Sequence, residues 1–418
     1  MNVVFGVIVG LLVLMLLVIA HELGHFIMAR RNGVNVLEFG IGFPPRAMAW
    51  VKDKKTGKWK RIPRADWKKP QDSLILSLNW LPIGGFCQMD GESAADTRKG
   101  TFGAASFWKK TKILFGGVIA NWLVAFVILT ILAWTGMPQF FANQFTVPID
   151  TTIDRAPVEV SSILEDSPAA QAGFMVGDKI KRIDGNEVWS SDEILSYNRD
   201  HAGENTVYTI SRTLYICRPD KVECIDEEKL QESIEKELEV KLNPADAEYL
   251  LGITMTNEMA RSYSTWSAPI VGAGLTVQVT GETIKGVGQI IGNLVGGTLS
   301  QLNFDSEVRD AGRESISEVG DSVSGPIGII GVLFPSFTAA GLTSLAFLTA
   351  VISISLACMN ILPIPALDGG RWLLIAIYKL RKKTLTKETE EKIVSRAFMV
   401  LLALMFIVTI LDVVRIVR

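Results

Sequence analysis

The strongest constraint on this chain is a conflict near its start. From Asn2 to Ala20 no side chain ionises, and through Ala29 the apolar run is long enough to cross about 30 Å of hydrocarbon as a helix. Yet "HELGH" at residues 21–25 puts two histidines and a glutamate inside it. An ionisable side chain at mid-membrane costs roughly 2.5–3.5 kcal/mol on insertion scales, so these three need a compensating partner. The run does not read as a cleaved signal: it lacks a basic leading region, exceeds an apolar core of about 7–15 residues, and leads into HELGH rather than a small-residue cleavage site.

The spacing suggests what the partner is. Four positions along a helix bring His21 and His25 to one face about one turn apart, as two ligands of a single zinc ion require. Glu22, one step around the helix, is placed to act as a general base rather than a ligand. His201, the remaining histidine, lies in the polar "SYNRDHAGEN" and reads as a solvated loop residue. Catalytic zinc usually takes three protein ligands and keeps one position open, so a third is sought elsewhere. Asp368, in "ACMNILPIPALDGGRW", is the only charged residue between Gly341 and Gly370. Pro363 and Pro365 before it and Gly369 and Gly370 after it predict unwound backbone at membrane depth, tolerated only where protein buries it or water fills a cavity. Asp368 is therefore a ligand candidate; the alternative is a cap for a helix starting at Gly369. Asn360 either hydrogen-bonds substrate or bonds across helices. Arg371 and Trp372 read as interfacial anchors.

Four apolar segments, 2–29, about 113–134, about 343–366 and about 396–414, predict an α-helical polytopic membrane protein with four spans. Residues 30–112 hold 17 Lys/Arg against 7 Asp/Glu, and the link "KLRKKTLTKETEEK" is also basic, so both are expected in the cytoplasm. Residues 135–340 hold 31 acids against 15 bases and fall outside, as do both termini. The formal net charge of -2 gives no case for nucleic acid. Cys217 and Cys224, flanking "RPDKVE" in the external segment, either pair across a hairpin or remain free thiols.

HELGH on the first span, "SGPIGI" at 324–329 and "NILPIPALDGG" on the third resemble, in order and over nearly the whole chain, the bacterial site-2 proteases, intramembrane zinc metalloproteases of the RseP type. The resemblance implies that zinc is bound by His21, His25 and Asp368, that Glu22 is the general base, and that Asn360 lies near the substrate. "LPIGGFCQMDGE" resembles that family's membrane re-entrant β-loop, in which Gly84, Gly85 and Phe86 would meet an unwound substrate strand; an ordinary cytoplasmic hairpin is the alternative. In "GGVIANWLVAF", close helix packing explains Gly116 and Gly117 as well as any function does. The resemblance further implies a multi-pass protein of the plasma (inner) membrane that cuts single-pass membrane proteins, of the anti-sigma-factor or remnant-signal-peptide type, after a first protease has trimmed them.

"SPAAQAGFMVGDKIKRIDGNEV" (167–188) resembles a permuted bacterial PDZ domain, completed by strands in "VYTISR", "ELEVKL" and "YLLGITM". Its carboxylate-binding loop is expected at Leu250, Leu251, Gly252 and Ile253, with a bulged strand as the alternative. An insertion is expected at about 211–236, with a charged helix over "DEEKLQESIEKE". The expected organisation is an N-terminal membrane part at 1–134, the external PDZ domain at 147–256, an amphipathic membrane-surface region at 257–340, and a C-terminal membrane part at 341–418. The rival reading is a membrane-anchored PDZ peptide-binding protein with a non-catalytic metal site. Structural zinc is normally closed by four ligands, and the sequence offers three.

Overall fold

The computed structural model describes residues 3–52, 56–64, 67, 73–93, 96–141, 143–216, 230–256, 260–301, 313 and 325–417. The chain divides into two units, one of Met1–Met137, Phe145–Asp150 and Ser264–Arg418 and one of Pro138–Gln144 and Thr151–Tyr263.

In the first unit, α1 (Val3–Arg31) runs unbroken through HELGH and buries one stripe: Gly6, Gly10, Leu17, His21, Gly24, His25 and Ala29. The strands β1 (Val36–Lys52), β2 (Trp59–Arg61) and β3 (Ile75–Met89) form an antiparallel sheet. The long strands bend, so Gly40 pairs with Phe86 on one side and Ser77 on the other, and Ser77 pairs onward with Ala49. Residues 85–89 are left as an outer edge. α2 (Phe107–Thr135) then lies directly on α1, and a Cβ at Gly24 would stand 2.2 Å from the Gly116 carbonyl oxygen. Small residues that let backbones touch hold helices together where lipid is as apolar as leucine.

After β4 (Met137–Pro138), the second unit contains β5 (Thr152–Asp154), β6 (Val158–Ile163), α3 (Pro168–Ala172), β7 (Lys179–Ile183), β8 (Asn186–Glu187), α4 (Ser191–Asp200), β9 (Asn205–Ile216), β10 (Leu230–Lys241), β11 (Ile253–Thr256) and β12 (Arg261–Tyr263). Its main sheet has the order β10-β9-β7-β6-β11, over a core that includes Val160, Ile180, Ile194, Tyr208 and Leu251. Serines cap both helices: Ser167 accepts the Ala170 amide and Ser190 the Glu193 amide. Within the sheet, Arg212 grips Asp178 through two bonds of 2.7 Å.

The helix expected over "DEEKLQESIEKE" is not found in its described part. Leu230–Lys241 is a strand, paired residue for residue with β9 from Leu230↔Ile216 to Lys241↔Asn205. Leu238 and Val240 enter the core while Glu237 and Glu239 stay exposed, and this period of two outweighs the helix propensity of the polar run before it. Cys217, Cys224 and residues 226–229 lie outside the described residues.

Back in the first unit, α5 (Ala268–Ser300) is continuous, with Val271, Leu275 and Val279 buried and Gly272 against Thr130 of α2. α6 (Pro326–Ala339) contains a π turn at Ile329–Leu333 and seats Pro335 and Phe334 where side chains at Gly6 and Gly10 of α1 would stand. α7 (Leu342–Ile361), α8 (Asp368–Leu380) and α9 (Lys387–Val417) complete the unit. Asp412, buried near the end of α9, accepts the amides of Gly325 and Gly328, each at 2.9 Å, and so caps α6. By length and composition α1, α2, α7 and α9 can cross a membrane.

Asp150 fixes the start of α5 by accepting the amides of Thr265 and Ser267, at 2.8 and 3.0 Å, and both their hydroxyls. The Ser267 hydroxyl, then that of Thr265, hold its carboxyl down to about 2. A depressed carboxylate stabilises the fold above its unfolded value of about 3.9, and the contribution is lost as pH falls through the folded value. Asp150→Asn is expected to lower the melting temperature at pH 7. Melts at stepped pH should show that deficit unchanged down to about pH 5 and shrinking toward pH 2.

Candidate metal centre

Three donor atoms converge where α1, α2 and α8 meet. His21 Nε2 lies 3.1 Å from His25 Nε2 and 3.1 Å from Asp368 Oδ2, and His25 Nε2 lies 3.3 Å from that same oxygen. Ligands about 2.0–2.1 Å from a tetrahedral zinc stand about 3.3–3.4 Å apart, so this triangle has the size of one face of a zinc tetrahedron. Glu22 belongs to the same cluster, with donor atoms of His21, Glu22 and His25 all within 4.8 Å of one another.

The surroundings aim the donors. His25 Nδ1 donates to the Ile113 carbonyl at 2.9 Å, which leaves Nε2 with its lone pair inward. Asn121 is fully buried, with its Nδ2 3.5 Å from His21 Nδ1 and its Oδ1 without a partner among the described residues. Turning the amide over, an assignment that heavy-atom positions leave open, lets His21 Nδ1–H donate to Oδ1 and directs Nε2 to a metal. Ser353 Oγ holds the Asn121 backbone carbonyl at 2.8 Å. Gly117 leaves the space: a Cβ there would stand 2.6 Å from His21 Nε2 and 2.7 Å from His25 Nε2. The donor set, its orientation and this cradle all fit zinc.

Asp368 reaches the histidines because α7 stops at Ile361 and the chain unwinds through Pro363 and Pro365 before α8 begins at Asp368 itself. The next two residues must be small, since a Cβ on Gly369 would lie 2.0 Å from the Ile361 carbonyl oxygen and one on Gly370 2.0 Å from that of Ile364. The unwound segment was legible in the sequence; the roles of the two residues after it were not. Arg371 is no interfacial anchor: it pairs with the buried Glu390 of α9 at 3.3 Å and donates to the Glu92 carbonyl. Trp372 donates to Thr111 Oγ1 of α2 at 2.9 Å and packs against Phe107 and Phe115. Both tie α8 in place. A cavity of about 810 Å³ lined by Gln88, Glu92, Asp368, Arg371 and Glu390 reaches the aspartate.

The sheet edge stands on the other side of Glu22. A Cβ at Gly85 would come 2.9 Å from the Gly40 carbonyl oxygen and 4.0 Å from Glu22 Cγ; Gly84 takes φ +80°, and the Phe86 ring lies over Gly40. The Cys87 amide is within hydrogen-bonding reach of the Glu22 carboxylate. Burial first, then the charge of Glu22, pushes the Cys87 thiol up to about 12. Asn360 does not join the cluster, for its Nδ2 donates to Leu356 O in its own helix at 2.9 Å.

His201 and the residues from Leu250 to Ile253 lie in the second unit. His201 ends α4 and stacks on Tyr197 at 4.0 Å. The carbonyls of Leu250, Leu251 and Gly252 accept the amides of Asn243, Ala169 and Leu164. Gly252 takes φ +80° with Ser167 pressed against it, and Ile253 opens β11, an edge of the main sheet. Sequence reasoning missed the roles of Asn121 and Gly117, the seating of α6 and the cap by Asp412. Two signals were available: the small-xxx-small pair Gly6–Gly10 and a lone acid, Asp412, in an apolar span.

The family model described as Peptidase family M50 matches residues 9–405. The chain is 25% identical to the "Putative zinc metalloprotease" of Agrobacterium fabrum, over 96% of this chain and 93% of that one. Equally named proteins of Clostridium perfringens (26% identical, 98% of each chain) and Nostoc sp. (28% identical, 96% of this chain and 93% of that one) are similar over the same extent. Among solved structures, the PDZ domain of an SdrC-like protein from Listeria monocytogenes is 25% identical over 25% of this chain and 93% of that one, with a TM-score of 0.18.

Gly117→Ala is expected to push the imidazoles apart and weaken metal affinity about 10–100-fold, the range for losing a group that orients ligands. Metal content measured after dialysis against graded chelator checks this. A Gly117→Ala protein that retains zinc as wild type does would show that the cradle is not needed.

Proposed function

Because the chain belongs to Peptidase family M50, the site-2 proteases, and is a membrane metalloprotease dependent on zinc, we propose that it cuts the membrane segments of single-pass proteins at the His21–His25–Asp368 centre. The observation that carries this reading is the donor triangle beside Glu22, both of its histidines on a helix long and apolar enough to span a bilayer. Zinc held by these three residues would polarise the scissile carbonyl and acidify the attacking water. Glu22 takes the proton of that water and returns it to the leaving amine. The edge at residues 85–89 offers unpaired backbone to a substrate segment that has left its helix, with Gly84, Gly85 and Phe86 in contact with it. The cavity at Asp368 admits the water that hydrolysis consumes. Three ligands leave the fourth position open, which disfavours a closed structural site.

The second unit acts, in this reading, as an external PDZ domain. The amides at Leu250, Leu251 and Gly252 would hold a substrate's new C-terminal carboxylate, and the edge of β11 from Ile253 its extended chain. That suits substrates already trimmed by another protease, such as anti-sigma factors or remnant signal peptides. The charge asymmetry supports a plasma-membrane protein with residues 30–112 inside and residues 135–340 outside.

Glu22→Gln is expected to keep zinc and lose cleavage by about 10²–10⁴-fold, the share of a general base. Asp368→Asn should lose both zinc and activity, because an amide oxygen is a poorer zinc donor than a carboxylate. Metal analysis beside a cleavage assay separates the two; zinc loss from Glu22→Gln, or normal zinc and cutting in Asp368→Asn, would sink the assignment. For sidedness, in a protein whose native cysteines are replaced by serine, a membrane-impermeant thiol reagent should label Ser191→Cys and not Thr56→Cys in intact cells, and the opposite pattern would invert the topology.

A further inference from the structure

A second cavity, of about 460 Å³, lies where the first turn of α2 meets the end of α8 and the start of α9. Lys110, Lys379, Lys383 and Lys387 line it together with Thr384 and Thr386, and among the described residues no acid does. Lys110 is only 8% exposed, yet among the described residues its ammonium has neither an ion pair nor a hydrogen bond and faces only the Phe102 ring at 5.7 Å. Lys379 sits over the Phe107 ring at 4.1 Å, and Lys387 has Glu391 at 3.8 Å. The charge of Glu390 reaches Lys110, but its carboxylate bonds Arg371 and Ser93. A buried ammonium that bonds no counter-charge and shares the field of one acid with an arginine is costly. Keeping one at the wall of a cavity with three further lysines makes sense if an anion from outside the chain completes the site.

The position points to the source of that anion. Trp108, 70% exposed, stands two residues before Lys110 in the first turn of α2, and Leu380, 83% exposed, follows Lys379 at the end of α8; the end of a helix long and apolar enough to span is the level of lipid headgroups. We propose that this cavity binds the phosphate of an anionic phospholipid. Because α8 carries Asp368 at its first residue and Lys379 in its last turn, a bound headgroup would pin the helix that presents the aspartate.

The full-length protein in nanodiscs of phosphatidylcholine, with or without phosphatidylglycerol, tests this through thermal unfolding and through lipid retention in native mass spectrometry. Phosphatidylglycerol should stabilise the wild type. Lys110→Met should be at least as stable as wild type in phosphatidylcholine, where its unpaired charge is gone, yet lose the response to phosphatidylglycerol and retain that lipid about fivefold less, the attraction of one lysine to an anionic surface. Lys383→Gln should lose part of the response, and Lys58→Gln, an exposed lysine of the β-sheet region, none of it. A full response in Lys110→Met, an equal loss in Lys58→Gln, or a Lys110→Met protein less stable than wild type in phosphatidylcholine would overturn the site. Equal, lysine-dependent stabilisation by inorganic phosphate in phosphatidylcholine nanodiscs would overturn the lipid source in favour of a soluble anion.

Discussion

Two imidazoles and a carboxylate have to meet inside helices built to exclude polar groups, and the unusual backbone of the first unit serves that meeting. α1 can bring His21 and His25 inward only because Gly24 lets it touch α2 at Gly116, and α2 can come so close only because Gly117 yields its Cβ space to the rings. The aspartate arrives from the far end of the chain along a segment whose prolines forbid a helix and whose glycines allow the next one to start against it. Remove any of these small residues and a polar group is left in apolar surroundings, where its cost is highest.

The helix that delivers the aspartate is itself held from several directions. Arg371 binds a buried glutamate of α9 and a backbone carbonyl of the loop after β3; Trp372 binds α2 through Thr111. A charge pair with one partner buried is a poor source of stability on its own account but fixes geometry, since breaking one partner strands the other. The position of a donor atom thus rests on residues three and four places along the same helix, which touch no reactant.

Much of this was legible in the sequence because the signals were chemical contradictions. HELGH within an apolar run, and Asp368 alone between prolines and glycines, are costly unless they meet, and they do. The four long apolar helices followed from length and composition. What was not legible depends on partners that no local pattern names. Arg371 and Trp372 sit where interfacial anchors sit, and only tertiary structure shows them turned inward. The polar half of β10 has the charge spacing of a helix, and its fate was decided by the pairing of Leu238 and Val240 with β9. Asn121 could be any buried polar residue until its distance from an imidazole is known.

α9 is tied down at two places along its length. Glu390 secures its first turn to the helix of the aspartate, Asp412 secures its far end to the start of α6, and between them Phe398, Met399, Val400 and Phe406 face outward. Such a helix behaves as a strut pinned at both ends with its long side unsupported. It cannot swing about one end while the other is held, so bending or sliding are the motions left to it. It also joins two parts of the unit that α1 already joins, α6 and the metal centre, and closes them into a mechanical loop in which a shift at either is felt along two separate members.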